Sequence, residues 1–180
     1  QNQGVGLASV RAGNVIGGGD WANDRLIPDI LLSFERGESV VIRNPKATRP
    51  WQHVLEPLSG YLILAQKLYE NQETYAEGWN FGPKEDDVKA VDWILNKMIS
   101  KWPNSSWELD VTCNPHEAKF LKLDISKAKS KLDWEPVWEL THTLEKIVAW
   151  HRAWLNQEDM QAVSLTEIEE YMRDMNNENN

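Results

Sequence analysis

The order of apolar and polar positions along the chain predicts strands that alternate with helices. Short, nearly continuous apolar runs are typical of buried strands, whereas apolar residues three or four apart are typical of amphipathic helices. The first apolar run predicts a buried strand over Val5 to Val10, which leads into a glycine turn at Gly17 to Gly19. Further strands are predicted at 39–42, 78–82 and 107–111, and helices at 24–36, 57–70, 88–102, 124–132 and 140–155. This alternation predicts the α/β fold class.

Turn and cap residues set the expected limits of these elements. Gly37 is the expected C-terminal cap of the first helix, and Asp87 is the expected cap of the third. The segment 43–51 contains two prolines and three positive charges, so a loop is predicted there. A capping-box pattern over Ser164 to Glu167 predicts the start of the last helix. We therefore expect one folded unit over 1–160, followed over 161–180 by a helix and a disordered acidic tail.

The bulk composition excludes several classes of partner. A formal net charge of −9 argues against non-specific binding to nucleic acid or to anionic membranes, which requires a basic face. No apolar run approaches the ~20 residues that span a bilayer, and the single cysteine, Cys113, cannot form an internal disulfide. A cytoplasmic location is therefore predicted. Ten tryptophans are unusual, and we expect most in the core and some lining a cleft or an interface.

The start of the chain predicts a strand whose neighbouring strands lie outside this sequence. The sequence begins without Met and enters an apolar strand at once, and a parallel strand needs other strands beside it. The sequence therefore predicts the C-terminal part of a larger α/β protein, of marginal stability on its own.

The glycine turn matches the dinucleotide-binding pattern G-x-G-x-x-A only in part. That pattern requires an acidic residue at the end of the next strand, but Arg43 follows Val40-Val41-Ile42 here. The residues favour a tight functional turn at a sheet edge over a pyrophosphate site, and no Lys-Ser/Thr pair follows the glycines as a P-loop requires. The turn itself is flanked by the polar side chains of Asn14, Asp20 and Arg25.

Two loops carry further candidate chemistry. Arg49 suits bidentate contact with phosphate, and Trp51 beside it is a candidate for stacking on a base or a sugar. The alternative is a surface loop with a structural tryptophan. His116 is a candidate for contact with an anion or a hydroxyl, or else a capping residue, and the histidine and cysteine spacing indicates no metal site. From the residues alone we predict an arginine-lined polar cleft for an anionic ligand.

The same motifs resemble the nucleotide-sugar 4,6-dehydratases of the extended short-chain dehydrogenase/reductases, and within them the CDP-glucose branch. The resemblance extends to about Trp154 and rests on segments 11–21, 25–29, 49–54, 79–83, 116–118 and 123–136. It implies the C-terminal part of an extended short-chain dehydrogenase/reductase: the last Rossmann strands plus a small substrate-binding domain. It also implies a homodimer or homotetramer of the full-length protein, in a pathway that supplies deoxysugars for surface polysaccharides such as O-antigen.

The resemblance implies a lyase reaction on CDP-glucose with NAD as cofactor. Hydride leaves C4 for NAD, water is lost across C5–C6, and hydride returns to C6 to give CDP-4-keto-6-deoxyglucose. NAD is expected to be bound mainly by an N-terminal half that carries a Tyr-x-x-x-Lys pair. No tyrosine of this chain is followed by lysine four residues later. No catalytic residue is therefore assigned here, and the chain alone is expected to be inactive.

The resemblance also assigns substrate-binding residues by position, with Arg49 on the diphosphate and residues 41–43 under the base. The GDP-mannose branch has arginine where this chain has Asn114, so the role of the His116 loop stays open. The alternative function is a non-catalytic, tryptophan-rich module that binds carbohydrate or a protein partner. The complete set of predicted substrate-binding residues is Asn14, Arg25, Leu26, Arg43, Arg49, Trp51 and His116.

Overall fold

The computed structural model describes residues 5–111 and 121–178, which form short strands covered by helices. The helices are α1 (Leu26–Arg36), α2 (Leu55–Glu70), α3 (Gln72–Tyr75), α4 (Val91–Lys101), α5 (Ser126–Leu132), α6 (Leu140–Leu155) and α7 (Met160–Glu178). The strands are β1 (Ser9–Ala12), β2 (Asn14–Ile16), β3 (Val40–Ile42), β4 (Thr48–His53), β5 (Gly78–Phe81), β6 (Val88–Ala90) and β7 (Trp107–Leu109). The predicted α/β class is confirmed.

The strands form three small sheets in the described residues. β1 pairs with β5 and β3 pairs with β7, both in parallel, while β4 lies between parallel β2 and antiparallel β6. The largest apolar cluster gathers the inner faces of α1, α4 and α6 over β3. A second cluster joins α2 and α5 to β5.

The helical periodicity placed most helices correctly. α1 buries Ile27, Ile30, Leu31 and Phe34, which are the apolar positions of the predicted face. Gly37 caps it with φ of 67°, and the N–H of Glu38 donates to the carbonyl of Ser33 at 2.9 Å. The left-handed conformation explains why glycine follows this helix.

The predicted buried strand at Val5 to Val10 is partly wrong, because only its last two residues are in a strand and they are exposed. Val5 and Leu7 are 91% and 80% exposed, and β1 begins only at Ser9, where β5 provides backbone partners. An apolar run becomes a strand only where another strand satisfies its backbone groups.

The predicted loop at 43–51 is partly wrong, because Thr48–His53 forms β4. Pro50 argues against a central strand, since proline cannot donate to a ladder. Each half of β4 is paired on one side only: 48–50 pair with β6, and 51–53 pair with β2. The same pairing converts 88–90 from predicted helix to strand.

The predicted helix starts at Asp87 and Ser164 are also wrong. α4 begins at Val91, after β6. α7 begins at Met160, and the carboxylate of Asp159 accepts hydrogen bonds from the N–H groups of Gln161 and Ala162 at 3.0 and 3.2 Å. The side chain of Ser164 accepts instead from the indole N–H of Trp150 at 3.1 Å. The division at residue 160 stays a prediction.

Candidate functional site

A cleft of about 690 Å³ opens where the ends of β2 and β3 meet the start of α1. β2 and β3 belong to different sheets, and each is paired in parallel with another strand. Ligand crevices in α/β proteins commonly lie beyond the carboxyl ends of such strands. β4 and the first residue of α4 complete its walls. The side chains lining the cleft include the polar residues Asn14, Asp20, Asp24, Arg25, Asp29, Arg43, Asn44 and Arg49.

Six of the seven predicted substrate-binding residues line this one cleft. They come from β2, the start of α1, the end of β3 and β4, which are separated by up to 37 residues of sequence between Asn14 and Trp51 (51 − 14). His116 lies outside the described residues. The six residues brought together are Asn14, Arg25, Leu26, Arg43, Arg49 and Trp51.

Each arginine of the cleft lies beside an oxygen acceptor. Arg25 lies 3.5 Å from the carboxylate of Asp20, which also accepts the N–H of Ala22 at 3.0 Å. Arg43 lies 4.0 Å from the carboxylate of Asp110, and Arg49 donates to the carbonyl of Thr48 at 2.9 Å. The cleft therefore presents three positioned guanidinium groups, which suit an anionic ligand.

Trp51 is buried in the wall of the cleft and does not project into it. Its residue exposure is 5%, and it belongs to the main apolar cluster. Asn14 is its partner in the β2–β4 register. Stacking of Trp51 on a base or a sugar stays a prediction.

Two acidic residues of the cleft, Asp24 and Asp29, were missed by the sequence analysis. Partial burial and the charge of Asp24 raise the pKa of Asp29, while Arg43 opposes this shift. The available signal was the position of Asp29 in the first turn of α1, directly after the predicted site residues Arg25 and Leu26.

The glycine turn is packed by protein and not left open for a ligand. A Cβ on Gly18 would lie 2.3 Å from the Trp150 ring of α6, and one on Gly17 would lie 2.8 Å from Val54. Gly19 has φ of 74° and also faces Trp150. The close approach permitted at Gly18 and Gly19 is therefore to an indole ring, and that at Gly17 is to a valine side chain.

This packing bears on whether the glycine turn could hold a dinucleotide. A pyrophosphate cradle requires an open glycine turn and an acidic residue after the next strand. Here Trp150 fills the turn, and Arg43 follows β3. The residues of this turn do not fit the cofactor, so no step through NAD is derived from them.

Residues 5–111 and 121–178 contain neither a cluster of metal-binding side chains nor a membrane-spanning helix. No group of three or more His, Cys, Asp or Glu residues is placed to hold a metal ion within those ranges. No helix in the same ranges is long and apolar enough to cross a membrane.

The chain is similar to known sugar-nucleotide enzymes. No protein-family model matches it. It is 60% identical over 173 residues to CDP-glucose 4,6-dehydratase of Salmonella typhimurium, which covers 96% of this chain and 48% of that protein. The chain thus spans about half the length of the curated relative that it matches.

Solved structures agree on the fold. The dTDP-glucose 4,6-dehydratase of Bacillus anthracis, in complex with NAD, matches with a TM-score of 0.65 and 19% identity over 81% of this chain and 44% of that one. The UDP-glucuronic acid 4-epimerase of Bacillus cereus, in complex with UDP-glucuronic acid and NAD, matches with a TM-score of 0.63 and 21% identity over 82% and 45%. These levels of identity show the fold alone. The chain therefore has the α/β fold of part of an extended short-chain dehydrogenase/reductase, and its sequence is similar to a C-terminal portion of a CDP-glucose 4,6-dehydratase.

Proposed function

We propose that the cleft binds the nucleotide portion of CDP-glucose, as the substrate-binding part of a 4,6-dehydratase. One observation carries the proposal. Six residues chosen from separate sequence segments line a single cleft, in a chain 60% identical to a CDP-glucose 4,6-dehydratase. A volume of about 690 Å³ is within the ordinary range for small-molecule sites.

The diphosphate is the part of this ligand best matched to Arg49 and Arg25. A guanidinium donates two parallel hydrogen bonds to phosphate oxygens, and Arg49 is already oriented by its bond to the carbonyl of Thr48. Arg25 is exposed and paired with Asp20, so a diphosphate would compete with that carboxylate for it. Asn14, beside Trp51 in the register, is assigned to the sugar or the phosphate.

The whole enzyme is proposed to convert CDP-glucose to CDP-4-keto-6-deoxyglucose with NAD. No Tyr-x-x-x-Lys pair occurs in the 180 residues. We therefore expect this chain, given CDP-glucose and NAD, to form no 4-keto product. Detection of that product by mass spectrometry would contradict the proposal that catalysis needs residues beyond these.

Calorimetric titration of the chain with CDP-glucose tests the binding proposal. Arg49→Ala should weaken binding by roughly 1.5–3 kcal/mol, the range for a charged hydrogen bond. Arg49→Lys keeps the charge but loses the bidentate geometry, so its affinity should fall between those of the parent and the alanine variant. Arg36→Ala, an exposed arginine at the end of α1 outside the cleft, is the matched control. Equal affinities for the parent and Arg49→Ala would refute the assignment.

A second candidate function rests on an exposed aromatic pair. Trp21 and Trp154 are 53% and 41% exposed, and their ring centroids lie 4.5 Å apart. Exposed tryptophan pairs suit contact with a sugar face or with a protein partner. This module would bind saccharide whether or not a nucleotide is attached, and Arg49→Ala would leave that binding unchanged.

A further inference from the structure

The acidic side chains of the cleft differ in their partners. The carboxylate of Asp20 is occupied by Arg25 and by the N–H of Ala22. Among the residues that the structure describes, the carboxylate of Asp29 has neither a hydrogen bond nor an ion pair. Asp24 lines the same cleft and also has no hydrogen bond or ion pair among the described residues, but it precedes α1, whereas Asp29 lies within its first turn.

The position of Asp29 is fixed by the helix that carries it. It lies in the first turn of α1, and its N–H donates to the carbonyl of Arg25 at 3.0 Å. Partial burial and Asp24 raise the pKa of Asp29, and the charge of Arg43 favours its ionised form. The side chain therefore stands as an acceptor close to the donors of Arg43.

The charge of Asp29 restricts which part of a nucleotide can lie against it. A carboxylate repels a diphosphate, so it must face a part of the ligand that donates hydrogen bonds. The base edge of cytosine presents its exocyclic amino group as a donor, whereas thymine, like uracil, presents a carbonyl oxygen at that position. The ring N3 and O2 atoms of cytosine accept, which suits the guanidinium of Arg43.

We infer that Asp29 sets the specificity of the cleft for cytidine nucleotides by accepting a hydrogen bond from the 4-amino group of cytosine. The inference rests on the proposed function, since it requires a nucleoside diphosphate in this cleft. Uracil and thymine nucleotides are rejected because their 4-carbonyl oxygen faces the carboxylate without a proton between them. A site built to pair with a donor discriminates strongly against an analogue that lacks it.

Calorimetric titrations with CDP and UDP test the inference on the parent chain and three variants. The parent should bind CDP more tightly than UDP by at least ~10-fold, the effect of one charged hydrogen bond. Asp29→Ala should lose most of this ratio. Asp29→Asn, nearly isosteric, both accepts and donates, so it should bind UDP more tightly than the parent does. Asp24→Asn removes an equal charge at a left-handed position that asparagine tolerates, and it should shift both affinities by one common factor.

The possible failures are distinguishable. A parent chain that binds neither CDP nor UDP overturns the proposed function, and this inference with it. A parent that binds both equally, or a CDP preference that survives in both Asp29 variants, overturns the inference alone. Equal weakening of CDP and UDP by Asp29→Ala also overturns it, because that result indicates contact with a ribose hydroxyl common to both ligands. Circular dichroism of each variant verifies that the compared proteins are folded.

Discussion

The buried carboxylate of Glu56 connects three distant parts of the chain, and its removal should be costly. Glu56 is fully buried in α2. One oxygen accepts the N–H of Trp138 at 2.7 Å, and the other accepts the N–H of Val137 at 2.9 Å and the hydroxyl of Tyr171 at 2.8 Å. A single side chain thus holds the segment before α6 and the middle of α7.

The three donors set the magnitude expected for Glu56→Ala. Each buried donor left without its acceptor costs about 1–3 kcal/mol, and the alanine cannot replace any of the three bonds. Part of the loss is offset, because the desolvation of the carboxylate is also removed. We expect the free energy of unfolding to fall by about 3–5 kcal/mol, a large share of the 5–15 kcal/mol typical of a domain.

Equilibrium unfolding in urea, followed by tryptophan fluorescence and circular dichroism, measures this change. Glu70→Ala is the control, since Glu70 is exposed at the end of the same helix and, among the residues that the structure describes, its carboxylate is bonded only to the side chains of Gln66 and Lys67. Its unfolding curve should superimpose on that of the parent. A loss below about 1 kcal/mol for Glu56→Ala would refute the reasoning, because it would mean that the donors find other acceptors or water.

Two further predictions concern pH and the glycine turn. Burial raises the pKa of Glu56, so the folded protein retains a proton that the unfolded chain has released. The free energy of unfolding should therefore fall as pH rises above the ordinary carboxyl range. Glu56→Gln should remove this contribution to the slope of unfolding free energy against pH. An unchanged slope in that variant would contradict the prediction. Gly18→Ala should destabilise by about 1–3 kcal/mol in urea unfolding, because its Cβ would meet the Trp150 ring at 2.3 Å. Gly78→Ala, whose Cβ would meet only the Ser9 hydroxyl at 3.4 Å, should change stability by less than about 0.5 kcal/mol, and equal effects at the two glycines would contradict the packing account.

The helices and much of the cleft were readable from the sequence for local reasons. Apolar periodicity over 140–155 and the glycine after α1 act within one turn of helix, so they require no knowledge of neighbours. Arg49 was predicted because guanidinium chemistry suits phosphate wherever the fold places it, and Arg25 was noted as a polar residue beside the glycine turn. The resemblance to nucleotide-sugar dehydratases contributed Leu26, which no local pattern distinguishes, and it gave Arg43 a place under the base.

The strands and the glycine turn were decided by the tertiary structure. β4 and β6 exist because segments 40 residues apart pair, as Thr48 does with Ala90 across 42 positions (90 − 48). In the apolar run that begins at Val5, pairing with β5 starts at Ser9, and the described residues before Ser9 belong to no sheet. The local sequence determines whether a segment favours helix or strand. Whether its backbone pairs in a sheet depends on which distant segment packs beside it.

In the cleft, too, some features follow from the local sequence and others from contacts between distant segments. The sequence by itself determined the helices, the cap at Gly37 and the arginine chemistry, because these depend on residues within a few positions. Only the tertiary structure decided that Trp150 fills the glycine turn, that Trp51 is a wall of the core and that Asp29 faces the cleft. Those outcomes depend on packing between α6, β4 and α1, and packing is a property of surfaces that meet only after the chain has folded.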